Sequence, residues 1–176
     1  MTLKGGPTQD EVLAISLMKL GLRHGDILAD IGCGTGKVAL AASSIVSRVH
    51  AVDSRQEAIE RARSYVEQAG AANITLHHKN AVDFLANCEN LDCAFVGGSK
   101  NLEEVLDLLA ERTKRRVVVN AVMLSTLNRA VQCMQHLGMF KEVIQVQVSR
   151  SYPIGSGMMF KPIDPVFIVV GEVNQC

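Results

Sequence analysis

Asp30-Ile31-Gly32-Cys33-Gly34-Thr35-Gly36 is the stretch from which the fold can be read. A short apolar run over 27–31 precedes it, and an Ala- and Leu-rich helical pattern over 36–45 follows. Strand, glycine turn and helix open a parallel α/β sheet, where ligands bind at the ends of strands and the starts of helices. Glycine there lets the backbone approach a ligand with no Cβ in the way. A P-loop needs G-x-x-x-x-G-K-[ST]. Lys37 does follow Gly36, but Ile31 holds the leading position and Val38 the trailing one, so the pattern fails twice. The dinucleotide pattern G-x-G-x-x-A is met by Gly34-Thr35-Gly36-Lys37-Val38-Ala39, with Asp53 at about the required 20-residue spacing. By pattern alone that match stands. Asp30 weighs against it, because a carboxylate ending the first strand repels a pyrophosphate and welcomes a cationic or ammonium-bearing ligand.

Outward from the loop, short apolar runs alternate with amphipathic stretches. A first helix is expected over 8–20, with Thr8 and Glu11 forming a T-x-x-E capping box. Further strands are expected over 48–52, 74–78, 93–96 and 116–120. Helices are expected over 55–69 (with Gly70 as its C′ residue), 82–88, 102–111 and 124–136. Val143 to Val148 alternates apolar residues with Gln, the period of a half-exposed strand, and 166–170 is a continuous apolar run. Between them, 151–164 carries Pro153, Gly155, Gly157 and Pro162 and reads as a loop, so the last two strands should pair antiparallel. The expected architecture is α/β: a doubly wound, mostly parallel seven-stranded sheet with an antiparallel C-terminal hairpin at its edge, in one domain spanning 1–176. Lys114-Arg115-Arg116, the one basic run, is expected in a solvated turn.

The chain of 176 residues is long enough for a full core. Lys and Arg total 18 and Asp and Glu total 18, and that zero balance argues against a general nucleic-acid binder or a polybasic membrane anchor. No apolar stretch reaches membrane-spanning length, and the first ten residues lack a signal-peptide core, so a cytoplasmic protein is expected. Cys33, Cys88, Cys93, Cys133 and Cys176 are scattered with no C-x-x-C pair and read as ordinary thiols. His24, His50, His77, His78 and His136 show no metal-ligand spacing with a cysteine, and the adjacent His77 and His78 should face opposite sides of a strand. No metal site is expected.

Asp-x-Gly-x-Gly-x-Gly, with Asp53 ending the second strand, resembles the loop of the class I S-adenosylmethionine-dependent methyltransferases. S-adenosylmethionine has no phosphate; it carries a sulfonium, an α-ammonium, a carboxylate and a ribose. The resemblance implies that Gly32, Cys33, Gly34, Thr35 and Gly36 cradle this cofactor and that Asp53 accepts both ribose hydroxyls. Asp53 alone would also read as a helix N-cap. Asp30 either orients the loop amides or reaches the methionyl ammonium through water. The third strand ends at Lys79-Asn80-Ala81, where methyltransferases usually place an acid on the adenine amino group. Asn80 departs from that, though its amide oxygen can still accept from the amine, and the Ala81 backbone can meet the adenine edge.

Gly6-Pro7-Thr8, Val96-Gly97-Gly98-Ser99, Gly157-Met158-Met159 and Asp164-Pro165-Val166 sharpen the resemblance. Together with the loop they are similar to the decarboxylating precorrin-6B methyltransferases of cobalamin biosynthesis in their short archaeal form, over almost the whole chain. That family usually has Lys where Gln9 stands, an acid in place of Asn80 and Asn in place of Asp164. Gln9 thus removes a cation near the expected mouth of the site.

The resemblance implies methyl transfer to C-15 of cobalt-precorrin-6B with loss of the C-12 acetate carboxylate, S-adenosylhomocysteine as product, and a homotetramer. Such transfer needs alignment more than acid–base help, so no catalytic residue is singled out. Thr8 joins the expected cofactor site; Gly97, Gly98, Ser99 and Asn120 are expected to line the substrate site, with Gly97 and Gly98 leaving room for a flat macrocycle. Arg150 and Lys161 flank the apolar loop of Tyr152, Ile154, Met158, Met159 and Phe160, and are candidates for pairing with substrate carboxylates. That loop suits a substrate flap or, better, a subunit contact. Competing readings are a class I methyltransferase acting on RNA or another small molecule, a nicotinamide oxidoreductase, and a non-catalytic cofactor-binding subunit. RNA lacks support from a basic stripe or from the 4% of aromatic residues, and the oxidoreductase lacks a Tyr-x-x-x-Lys hydride-handling set.

Overall fold

The computed structural model describes residues 8–173, so Gly6, Pro7 and Cys176 lie outside the described residues. The first half runs α1 (Asp10–Leu20), β1 (Ile27–Ile31), α2 (Lys37–Ser43), β2 (Arg48–Asp53), α3 (Gln56–Ala69), β3 (Ile74–His78) and α4 (Ala81–Ala86). The second half runs β4 (Leu91–Val96), α5 (Leu102–Arg112), β5 (Thr113–Ala121), α6 (Leu124–His136), β6 (Phe140–Val146), β7 (Ser149–Ile154), β8 (Gly157–Pro162) and β9 (Val166–Glu172). Strand periodicity divides the core in two. Leu28, Val49, Ala51, Cys93, Phe95 and Val118 lie on one face with α1, α2 and α3. Ala29, Ile31, Val52, Ala94, Val96 and Val117 lie on the other with α4, α5 and α6.

Seven strands join in the order β3-β2-β1-β4-β5-β9-β6. β1 pairs parallel with both β2 and β4, and the chain leaves β1 toward one face and β4 toward the other. Their carboxyl ends therefore diverge around a crevice, the position at which doubly wound sheets bind ligands.

The doubly wound sheet and the antiparallel C-terminal hairpin at its edge are as expected. β6 and β9 pair antiparallel, with β9 between β5 and β6, so the antiparallel strand is internal and β6 is the edge. Burial explains the order. Ile168, Val169 and Val170 are fully buried, which requires neighbours on both sides, whereas β6 alternates between partly buried and exposed positions. The supposed loop over 151–164 holds β7 and β8, paired as a separate two-stranded ribbon from Ser149–Pro162 to Ile154–Gly157. Pro153 and Pro162 are compatible with it because both strands of a lone ribbon are edges.

Two local expectations are also corrected. The Thr8–Glu11 capping box does not form: α1 begins at Asp10, and its N-cap is Gln9, without a side-chain cap. Lys37 draws this corner inward instead, donating to the Thr8 carbonyl at 2.6 Å and pairing with Asp10 at 2.7 Å. Lys114, Arg115 and Arg116 stand in β5 rather than in a turn, and pair with Asp92, Asp26 and Glu172 respectively. Other details hold. Gly70 caps α3 in a left-handed conformation. His77 meets His50 at 3.0 Å and packs on Phe84, while His78 turns away to the Ser54 carbonyl.

Candidate active site

A cavity of about 380 Å³ opens over the carboxyl ends of β1, β2, β3 and β4. That volume lies within the usual range for a small-molecule site. Thr8, Asp30, Gly32, Cys33, Gly34, Thr35, Asp53, Asn80, Ala81, Gly97, Gly98 and Ser99, all expected there, line it. Four expected residues are absent from its wall. Gly36 lies beneath the loop, at φ +77°, where an added Cβ would sit 3.1 Å from Ala62 Cβ; it permits close packing of α2 on α3. Asn120 shares the Val118 face of β5 and engages Ser16 of α1, its Nδ2 donating to Ser16 Oγ at 3.1 Å. Arg150 lies at the base of the β7–β8 ribbon and pairs with Glu11 at 2.8 Å, also donating to Gln9 Oε1. Lys161 stands opposite it on β8, exposed.

Four amides of the glycine loop are engaged within the fold. The Gly32 and Cys33 amides donate to the Val52 carbonyl at 2.8 and 3.0 Å, Gly36 N–H to the Cys33 carbonyl at 2.8 Å, and Gly34 N–H to Asp53 Oδ2 at 3.0 Å. A pyrophosphate site works by presenting loop amides to the ligand, and these four are already engaged within the fold. Gly32, at φ +76°, would place a Cβ 3.1 Å from Gly98 N, and Gly97 would place one 3.2 Å from Gly32 O. The loops after β1 and β4 thus pack backbone to backbone. At Gly98 an added Cβ would meet nothing within 4 Å, leaving open space beside the cavity.

Asp30 is fully buried. Its Oδ2 accepts the Ala39 amide of α2 at 2.9 Å, while Oδ1 has no partner among the described residues. Burial pushes its carboxyl up to about 7, opposed by the Ala39 amide and assisted by the negative charge of Asp53. An orphaned carboxylate oxygen behind the cavity suits a cationic donor. Cys33 sits between the two acids; burial, then Asp30 and Asp53, push its thiol up, so it is no thiolate nucleophile.

Asp53 is 5% exposed and receives four donors. Gly34 N–H and Arg55 Nη2 meet Oδ2, while the Arg55 N–H and Nε meet Oδ1. Burial raises its carboxyl, but the Arg55 guanidinium, the Arg55 amide and the Gly34 amide together hold it below the usual carboxylate value. Asn80 is the N-cap of α4, its Oδ1 accepting Val82 N–H at 3.1 Å. The donor set fits S-adenosylmethionine: a buried acid with an unfilled oxygen for an ammonium, and an ionised acid for a ribose diol.

Comparisons with known proteins show the family. A family model described as a precorrin methyltransferase domain matches residues 3–171. The chain belongs to the precorrin methyltransferase family. A Methanosarcina acetivorans relative called a probable cobalt-precorrin-6B C(15)-methyltransferase (decarboxylating) is 42% identical over 98% of this chain and 96% of its own. A Methanosarcina mazei protein of the same description is 44% identical over the same shares. Among solved structures, a Methanobacterium thermoautotrophicum protein described as precorrin 8W decarboxylase superposes with a TM-score of 0.91 at 30% identity, covering 94% of this chain and 91% of that one. A Geobacter metallireducens precorrin-6Y C5,15-methyltransferase gives a TM-score of 0.91 at 31% identity, covering 98% and 94%.

Four cations of this precorrin methyltransferase that also line the cavity were not singled out from the sequence: Lys37, Arg55, Lys79 and Lys100. Each had a signal. Lys37 closes the glycine loop, Arg55 stands two residues beyond Asp53, Lys79 precedes Asn80, and Lys100 follows Val96-Gly97-Gly98-Ser99.

Proposed function

We propose that the chain transfers a methyl group from S-adenosylmethionine to C-15 of cobalt-precorrin-6B and releases the C-12 acetate carboxylate as carbon dioxide. The observation that carries this reading is the pair of buried acids, Asp30 and Asp53, behind the glycine loop at the cavity. Family membership supplies the substrate class. S-adenosylmethionine, when bound, supplies the methyl on a sulfonium, while the conjugated macrocycle supplies the nucleophilic carbon and the electron sink for decarboxylation.

The residues bind and orient. Asp53 takes the ribose hydroxyls and Asp30 faces the methionyl ammonium, directly or through water. Asn80 and Ala81 border the adenine, with the second lone pair of Asn80 Oδ1 left for its amine. Gly97 and Gly98 keep the space over β4 free of side chains, so that the macrocycle can lie flat for in-line attack. Lys79 and Lys100 are exposed on the rim and are better placed than Arg150 or Lys161 to meet the substrate's acetate and propionate groups.

The assembly in this reading is a homotetramer of single-domain subunits, working in the cytoplasm without nucleic-acid or membrane partners. No described helix is long and apolar enough to cross a membrane. The β7–β8 ribbon supports the subunit contact: Met158 and Phe160 share a face and are each 68% exposed, and a lone two-stranded ribbon is marginal without cover. Isothermal titration with S-adenosylhomocysteine and with NADH tests the cofactor assignment. Saturable binding of the first alone is expected; binding of NADH alone would overturn it.

A further inference from the structure

Asp53 presents about four lone-pair directions, two on each oxygen. All four are filled: Gly34 N–H at 3.0 Å and Arg55 Nη2 at 2.9 Å on Oδ2, and Arg55 N–H and Nε, each at 3.0 Å, on Oδ1. A vicinal diol needs two of them. The backbone amides belong to the glycine loop and to the residue that starts α3, so they stay with the fold. The guanidinium hangs on a flexible side chain that is 40% exposed, reaches back over the loop and lines the cavity. Its Nη2 lies 4.0 Å from where a Cβ on Gly34 would stand.

We propose that Arg55 is a displaceable internal ligand of the ribose acceptor, a positioning residue that holds Asp53 ionised and aimed and must swing away for the cofactor to bind. The proposal rests on Asp53 being that acceptor. Cofactor binding then exchanges two ion-pair hydrogen bonds for two bonds from neutral hydroxyl donors to the same carboxylate, so Arg55 weakens the affinity for any ligand gripped through its ribose. The same competition speeds the release of S-adenosylhomocysteine, because the returning guanidinium takes the place of the departing hydroxyls.

The test is calorimetric titration of the full chain with S-adenosylhomocysteine. Arg55→Met keeps the apolar stem and removes the competitor. Affinity is expected to tighten on the order of five-fold, the equivalent of a partly exposed ion pair. Arg55→Lys, which keeps the charge but loses the two-point grip, should fall between Arg55→Met and the wild type, and keeps the proposal testable should the methionine variant fold poorly. Added salt should narrow the gap between wild type and Arg55→Met, since it screens the pair being broken. Weaker binding by Arg55→Met would mean that Arg55 grips the ligand itself, and equal binding that the side chain moves at no cost; either overturns the proposal. Asp53→Ala separates this from the underlying reading: if it binds as the wild type does, the ribose assignment has failed and the proposal falls with it.

Discussion

At the residue scale, the two acids differ because their surroundings do. Asp53 stays ionised under amides and a guanidinium, whereas burial raises Asp30 to about 7. The folded pKa of Asp30 lies above its unfolded value of 3.8. Between these values the native state holds a proton that the unfolded chain has released, so the contribution of Asp30 is full below about pH 4 and is lost as pH rises through about 7. The unfolding free energy of the ligand-free protein should therefore lose a component between about pH 4 and 8 that Asp30→Asn lacks. Urea denaturation of both proteins across that range measures it, and parallel profiles would contradict it. Gly97 and Gly98 make a second contrast. Gly97→Ala drives a Cβ to 3.2 Å from Gly32 O and 3.3 Å from Phe95 Cε1, and should cost roughly 1–3 kcal/mol. Gly98→Ala meets open space and should stay within about 0.5 kcal/mol of the wild type, so any loss of turnover there reports on substrate room. Thermal melts of the two variants decide it.

At the element scale, α4 is six residues long and starts on the side chain of Asn80. Asn80→Ala should remove about 1 kcal/mol of stability in urea, whereas Asn80→Asp, which keeps an acceptor, should retain it. Equal loss in both would place the effect outside the cap. Strands and helices were legible where local periodicity and burial agree: α6 spans Leu124–His136 and β3 Ile74–His78, as expected. Reading failed where tertiary partners took over. Lys37 replaced the Thr8 cap, and acids on neighbouring elements turned Lys114–Arg116 from a solvated turn into part of a strand. Asn120 was misjudged because ending a strand near the crevice does not say which face a side chain takes; it shares the face of Val118, against α1. Prolines and glycines hid the β7–β8 ribbon because they break internal strands but not edges.

At the scale of the whole molecule, the crevice between β1 and β4 puts the glycine loop, Asp53 and Gly97–Gly98 around one cavity, and their spacing along the chain made that convergence readable. Four cations at its wall were not read, because a lone lysine or arginine carries little signal until the fold sets it beside a cavity. The exposed ribbon bears on assembly. Met158→Asp combined with Phe160→Asp should shift light-scattering mass from that of the proposed tetramer toward smaller species while leaving the circular dichroism of the sheet domain intact; an unchanged mass would remove the ribbon from the interface. The central claim concerns the reaction itself. Mass spectrometry of cobalt-precorrin-6B incubated with the protein and S-adenosylmethionine tests it most directly. The account predicts a product that has gained one methyl group and lost one carbon dioxide. An unaltered macrocycle, in a protein that S-adenosylhomocysteine still stabilises against heat, would contradict it.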